Sequence, residues 1–118
     1  MSNDGHPRIV LLENGVLVRD YHLDKEIVTI GRASVNDISL HYIPVSRTHA
    51  QILRVAEDRY LLKDLGSKNG ISVNGTKIQE HGLKHGDRIG LGKYTLVFWY
   101  AQEMQPDETK PENENKEG

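Results

Sequence analysis

Arg32, Ser46, Arg47, His49 and Lys68 are side chains of this chain whose types and spacing could do chemistry. They fall in two stretches, GRASVNDISLHYIPVSRTHA (31–50) and LKDLGSKNGISVNG (62–75). An arginine fork, a serine hydroxyl and backbone amides exposed in a glycine-rich turn are all donors, and donors gathered at loop ends suit an anion. Gly31-Arg32 follows the strand-like run EIVTI, Ser46-Arg47-Thr48-His49 opens the run HAQILRV, and Gly66 and Gly70 flank Ser67, Lys68 and Asn69. Each segment is weak alone. A surface Gly-Arg is usually solvated, a histidine at a strand start is more often a hydrogen-bonded framework group than a base, and the Asn-Gly pairs at 69–70 and 74–75 are common turn chemistry.

Other chemistries fit less well. Ser46, His49 and Asp64 could be assembled into a nucleophile, base and orienter. In an extended chain, however, residues three apart tend toward opposite faces, and no oxyanion loop is evident. GLGKYT (90–95) fails the nucleotide phosphate-loop pattern, because Tyr94 stands where Ser or Thr is needed and Asp87 where the earlier glycine is needed. His81 and His85 flank Gly82 and precede Gly86, which favours a turn over a metal-ligating helix face. The expectation is a protein with no catalytic residues, no metal and no cofactor.

The elements that must position these residues read as all-β. Short runs rich in β-branched and aromatic residues recur as RIVLL (8–12), VLVRD (16–20), EIVTI (26–30), HAQILRV (49–55), RYLLKD (59–64), DRIGLG (87–92) and YTLVFWY (94–100). Turn residues punctuate them at Asn14-Gly15, Glu57-Asp58, Asn74-Gly75 and Gly86-Asp87. Many short strands at this spacing predict a sandwich or barrel.

With 118 residues, the chain has the size of one domain plus tails. Its 15 Lys and Arg nearly balance 17 Asp and Glu, so a broad nucleic-acid or membrane footprint is not expected. The charge is unevenly placed. Residues 101–118 hold six acids (Glu103, Asp107, Glu108, Glu112, Glu114, Glu117) against Lys110 and Lys116. That tail cannot bury enough apolar surface to offset its ordering entropy, and it reads as disordered from about residue 102. Thr109 is its only threonine, a point at which a kinase could create a self-binding or bridging phosphothreonine; an inert solubilising tail is the simpler expectation. The absence of cysteine and of any apolar run long enough to span a bilayer suits a cytoplasmic protein.

Taken together, the segments are far more specific than any one. The order Gly31-Arg32, Ser46-Arg47-Thr48-His49, Gly66-Ser67-Lys68-Asn69-Gly70, Val73-Asn74-Gly75 and Leu83-Lys84-His85-Gly86-Asp87-Arg88-Ile89 resembles the forkhead-associated (FHA) domain family over about residues 8 to 100. The resemblance implies a β-sandwich of about eleven strands in two sheets, with loops at one end that bind phosphothreonine. It divides the chain into a flexible N-terminus (1–6), an FHA domain (7–101) and a disordered acidic tail (102–118). By the same resemblance Arg32 and Ser46 contact the phosphate, Arg47, Lys68 and the adjacent Ser67 are further phosphate candidates, and Asn69 holds the peptide backbone. Gly31, His49, Gly70 and Asn74 are implied as structural supports. The implied function is a non-catalytic adaptor in Ser/Thr kinase signalling, similar to small bacterial members, whose partner is a threonine-phosphorylated protein. The alternative is a phospho-independent interaction scaffold on the same fold.

Overall fold

Alternating burial along short strands has to be satisfied by a second apolar surface, and here two sheets supply it to each other. The computed structural model describes residues 6–100. They form β1 (Arg8–Glu13), β2 (Val16–His22), β3 (Ile27–Gly31), β4 (Ile38–Ser39), β5 (Ala50–Ala56), β6 (Arg59–Asp64), β7 (Ile71–Val73), β8 (Thr76–Ile78), β9 (Glu80–Gly82), β10 (Arg88–Leu91) and β11 (Tyr94–Trp99). A six-stranded sheet runs β2-β1-β11-β10-β7-β8 and a five-stranded sheet β4-β3-β5-β6-β9. β3 and β4 pair in parallel, and the other pairings are antiparallel. The fold is thus the eleven-strand β-sandwich expected. Residues 1–5 of the expected flexible N-terminus, and 101–118 with the acidic tail and Thr109, lie outside the described residues.

In β1, β3, β5, β6, β10 and β11 alternate side chains enter the core, whereas the edge strand β2 buries none. Ile9 and Leu11 of β1, Ile30 of β3, Ile52 of β5, Leu62 of β6, Ile89 of β10, and Leu96 and Phe98 of β11 are buried between the sheets. Each aliphatic chain so buried contributes about 1.5–3 kcal/mol. Tyr60, Phe98 and Tyr100 pack in tilted and edge-to-face pairs with centroids 5.8 to 6.1 Å apart. Burial, aided by the bond its hydroxyl donates to Asp58, pushes the Tyr100 phenol up to about 12.

The turns follow residue chemistry. Asn14-Gly15 and Asn74-Gly75 both have positive φ at both positions, 52° and 82° in the first pair and 52° and 88° in the second, as two-residue hairpins require. Glu57-Asp58 joins β5 to β6, and GLGKYT is the β10–β11 hairpin, with Gly92 at φ 62°. The two- and three-residue strands β4, β7, β8 and β9 are too short for periodicity to reveal. Among the described residues, no helix is long and apolar enough to cross a membrane. The sandwich brings together three loops, 32–37 after β3, 40–49 before β5 and 65–70 before β7.

Candidate anion-binding site

The first junction joins the end of β3 to the segment before β5. The amide of Arg32 donates to Ser46 O at 2.9 Å and that of Ala33 to Arg47 O at 3.2 Å. This approach explains Gly31, because a Cβ there would lie 2.2 Å from the Arg47 carbonyl oxygen. Buried Asn36 completes it, its Nδ2 donating to Ala33 O and Arg47 O at 2.8 Å each. Sequence reasoning missed Asn36, whose only local signal is its place in a polar turn. Asp37 ties the same loop to β3 and Lys25. Burial works against its charge, but bonds from Lys25 and from the Thr29 amide and hydroxyl outweigh that, and the carboxyl is held below its ordinary value.

The second junction is built around His49, which is almost wholly buried. Its Nδ1 accepts the Ser46 amide at 3.0 Å, so Nε2 carries the proton and donates to Gly70 O at 2.8 Å. One ring therefore clamps two loops. Asp64, at the end of β6, shapes the third loop. Its Oδ2 accepts the Ser67 amide at 3.1 Å and its Oδ1 the Ser67 hydroxyl at 2.6 Å, and that hydroxyl in turn accepts the Gly70 amide at 2.9 Å.

On this frame sit the donors. Half-buried Arg32 is pinned by Nε donating to Val45 O at 3.0 Å, and among the described residues its terminal nitrogens have no protein partner. Ser46 Oγ accepts the Lys68 amide at 3.0 Å, which leaves its own proton for a ligand. Arg47 and Lys68 are exposed and have no carboxylate partner among the described residues. Asn69 Nδ2 donates to Pro44 O at 2.6 Å, leaving its Oδ1 available to a peptide amide. The arrangement can hold a multiply charged anion against fixed cations and a hydroxyl donor.

Two of the expected members have their side chains bonded within the fold. The single proton of the Ser67 hydroxyl is engaged by Asp64, so this side chain stands in the loop's internal frame. Asn74 is at the far end of β7 from Gly70, where its Nδ2 donates to Asp87 Oδ1 and its Oδ1 accepts the Arg88 amide, both at 3.0 Å. It therefore fixes the β7–β8 turn against residues 84–88, and a strand three residues long separates it from the site. Sequence reasoning also missed Lys77, whose chain crosses Gly70; a Cβ on that glycine would meet Lys77 Cε at 2.5 Å. Its position two residues past an Asn-Gly turn gave no warning of this.

The geometry also bears on catalysis. Residues 41–49 run through a turn and bends rather than a strand, so Ser46 and His49 do approach, contrary to the extended-chain expectation. The bond between them runs from the Ser46 amide, whereas its hydroxyl faces the Lys68 amide. With both ring nitrogens engaged, His49 has no lone pair with which to activate Ser46. His81 is likewise structural, with Nε2 3.0 Å from Asp87 Oδ2.

A family model described as FHA domain matches residues 28–92, more than half of the chain and all three loops of the site. The chain belongs to the FHA-domain family. Over 76 residues this FHA domain is 42% identical to the oxoglutarate dehydrogenase inhibitor of Corynebacterium jeikeium, a match covering 64% of this chain and 52% of that protein. Over 86 residues it is 35% identical to the glycogen accumulation regulator GarA of Mycobacterium tuberculosis, covering 73% and 52%. The chain spans about half the length of these curated relatives. Their names describe an inhibitor and a regulator rather than catalysts. Among solved structures, one from a structural and functional analysis of phosphothreonine-dependent FHA domain interactions superposes with a TM-score of 0.72 at 32% identity, covering 86% of this chain and 99% of that one. Mycobacterium tuberculosis EmbR in complex with a low-affinity phosphopeptide gives 0.75 at 30% identity, covering 85% of this chain and 26% of EmbR.

Proposed function

We propose that this FHA domain is a phosphothreonine-dependent binding module that acts as a non-catalytic regulator in Ser/Thr kinase signalling, in a cytoplasmic setting. The observation that carries the reading is the convergence of Arg32, Ser46 and the 67–70 loop through bonds that hold each in place yet leave ligand-facing donors unengaged. A phosphothreonine brings about −1.5 to −2 charge and three acceptor oxygens. Arg32 and Ser46 take the phosphate, Arg47 and Lys68 supply further positive charge, and Asn69 holds the peptide backbone while bridging to Pro44. Ser67, with Gly31, His49 and Gly70, keeps the loops in shape rather than touching phosphate. Each charge-assisted hydrogen bond contributes about 1.5–3 kcal/mol. A few of them, less the cost of ordering a peptide, place the affinity in the micromolar range, about −8 kcal/mol. The name of the oxoglutarate dehydrogenase inhibitor supports a partner that is a metabolic enzyme.

The test is a calorimetric titration with a phosphothreonine peptide library and its phosphoserine and unphosphorylated counterparts. Selective phosphothreonine binding is expected, with Arg32→Ala losing about 2–5 kcal/mol of affinity at little change in melting temperature. Equal binding of the unphosphorylated peptides would instead favour a phospho-independent scaffold, and full affinity in the Arg32 variant would remove the residue assignment.

A further inference from the structure

The sheets end in four open edges, of which β4, β8 and β9, two or three residues long, are too short to template another strand. β2 is different. It runs seven residues along the rim of the six-stranded sheet and carries Val16, Leu17 and Val18 in succession, 65%, 62% and 52% exposed. A long apolar edge offers its unpaired amides and carbonyls to another strand. The two-residue turn at Asn14-Gly15 makes Glu13 and Val16 the hydrogen-bonded pair, so the next pair, Leu12 and Leu17, turns its backbone groups away from each other. Those of Leu17 therefore point out of the sheet edge. Val18 is the extra residue of a β-bulge, and with the charges of Arg19 and Asp20 it blunts the rest of the strand. Val16, opposite Glu13, and Val18 lie on the face turned toward the other sheet, whereas Leu17, opposite Leu12, lies on the outer face.

We propose that β2 is a self-association edge, at which a second copy of this chain pairs antiparallel about a two-fold axis at Leu17. Phosphothreonine binding is not required for it. In that register Leu17 exchanges both backbone hydrogen bonds with its counterpart, and on the other face Val16 of each copy meets Val18 of the other. Apolar stands against apolar on both faces. Centring the pair on Arg19 or Asp20 would instead set like charges opposite each other. Arg19 lies over the Tyr21 ring at 5.8 Å and has no carboxylate partner among the described residues; the Leu17 register carries it toward Glu13 of the other copy, on the same face. Three paired residues a side bury less than the roughly 1,200 Å² of a standard interface, so the dimer is weak and forms as concentration rises.

The experiment follows sedimentation of the full chain over a wide concentration range, beside Leu17→Lys and Leu17→Cys. The wild-type chain should pass from monomer to dimer, and Leu17→Lys, at an exposed position, should stay monomeric with its melting temperature unchanged. The chain contains no cysteine, and a hydrogen-bonded pair places its Cα atoms about 5.5 Å apart, within disulfide range. Under mild oxidation Leu17→Cys should therefore cross-link between copies far faster than Val35→Cys, a control in the 32–37 loop that is 89% exposed. A wild-type monomer at every concentration, a dimer that survives Leu17→Lys, or equal cross-linking of the two cysteine variants overturns the inference. Dimerisation that begins only when residues 1–5 or 101–118 are removed would give the edge to a segment of the same chain, and overturns it as well.

Discussion

Two Asn-Gly pairs lie five residues apart at opposite ends of β7, and they do opposite work. Asn74-Gly75 turns a hairpin with both φ values positive, and both ends of the Asn74 amide are bonded within the fold, to Asp87 and to the Arg88 amide. Asp87, buried beneath it, also accepts the Lys84 amide at 2.8 Å and His81 Nε2 at 3.0 Å. At Asn69-Gly70 only the glycine has positive φ, and the asparagine makes one bridge, to Pro44, and keeps acceptor capacity. A saturated polar cluster stabilises a fold; a partly engaged one beside unpaired cations can hold a ligand. The contrast shows that residue type sets what a group can do, while its neighbours determine whether any of that capacity remains.

The comparison breaks most visibly at Asp87. Replacing it with alanine strands the Asn74 amide, the Lys84 amide and His81, and should cost about 3 kcal/mol of stability in denaturant melts; phosphopeptide affinity of the folded fraction should change little. Asn74→Ala removes two bonds and places a Cβ residue other than Asn at a φ of 52°, for about 1–2 kcal/mol of stability. Asn69→Ala should do the reverse, weakening phosphopeptide binding by about 1 kcal/mol in calorimetry while leaving the melting temperature nearly unchanged. A large loss of stability at Asn69, or of affinity at Asn74, would erase the distinction between the two ends.

Acid sharpens the same contrast with a smaller effect. Burial works against the Asp87 charge, but the Lys84 amide, Asn74 and His81 outweigh it, and the carboxyl sits below its ordinary value of 3.8. A depressed folded value contributes stability that is fully present above about 3.8 and lost as the pH falls through the lower folded value. Phosphothreonine takes up its second proton near pH 6. Affinity should therefore decline between about pH 7 and 5, whereas the contribution of Asp87 to the melting temperature holds until the pH drops below 3.8. Parallel loss of both across pH 7 to 5 would contradict the separation.

Much of the fold was legible because its longer strands other than β2 obey a two-residue period and its turns use residues that tolerate positive φ. β1, β5, β6 and β11 could be read this way, and β4, β7, β8 and β9 could not, since two or three residues carry no period. At the site, the types of Arg32, Ser46 and Lys68 announced anion chemistry. The tautomer and double clamp of His49, the engagement of Ser67 by Asp64, and the amide of Asn36 were not legible, because their partners lie elsewhere in the chain or in backbone atoms that sequence patterns do not register.

By itself the sequence determined an all-β chain, its principal turns and a set of donors at strand ends, since those follow from local sterics and side-chain chemistry. Only the tertiary structure decided which donors stay unengaged, that both ends of the Asn74 amide are bonded within the fold, and that Lys77 crosses Gly70. Those outcomes depend on distances between residues far apart in the chain, which are set when two sheets pack and bring three loops to one end.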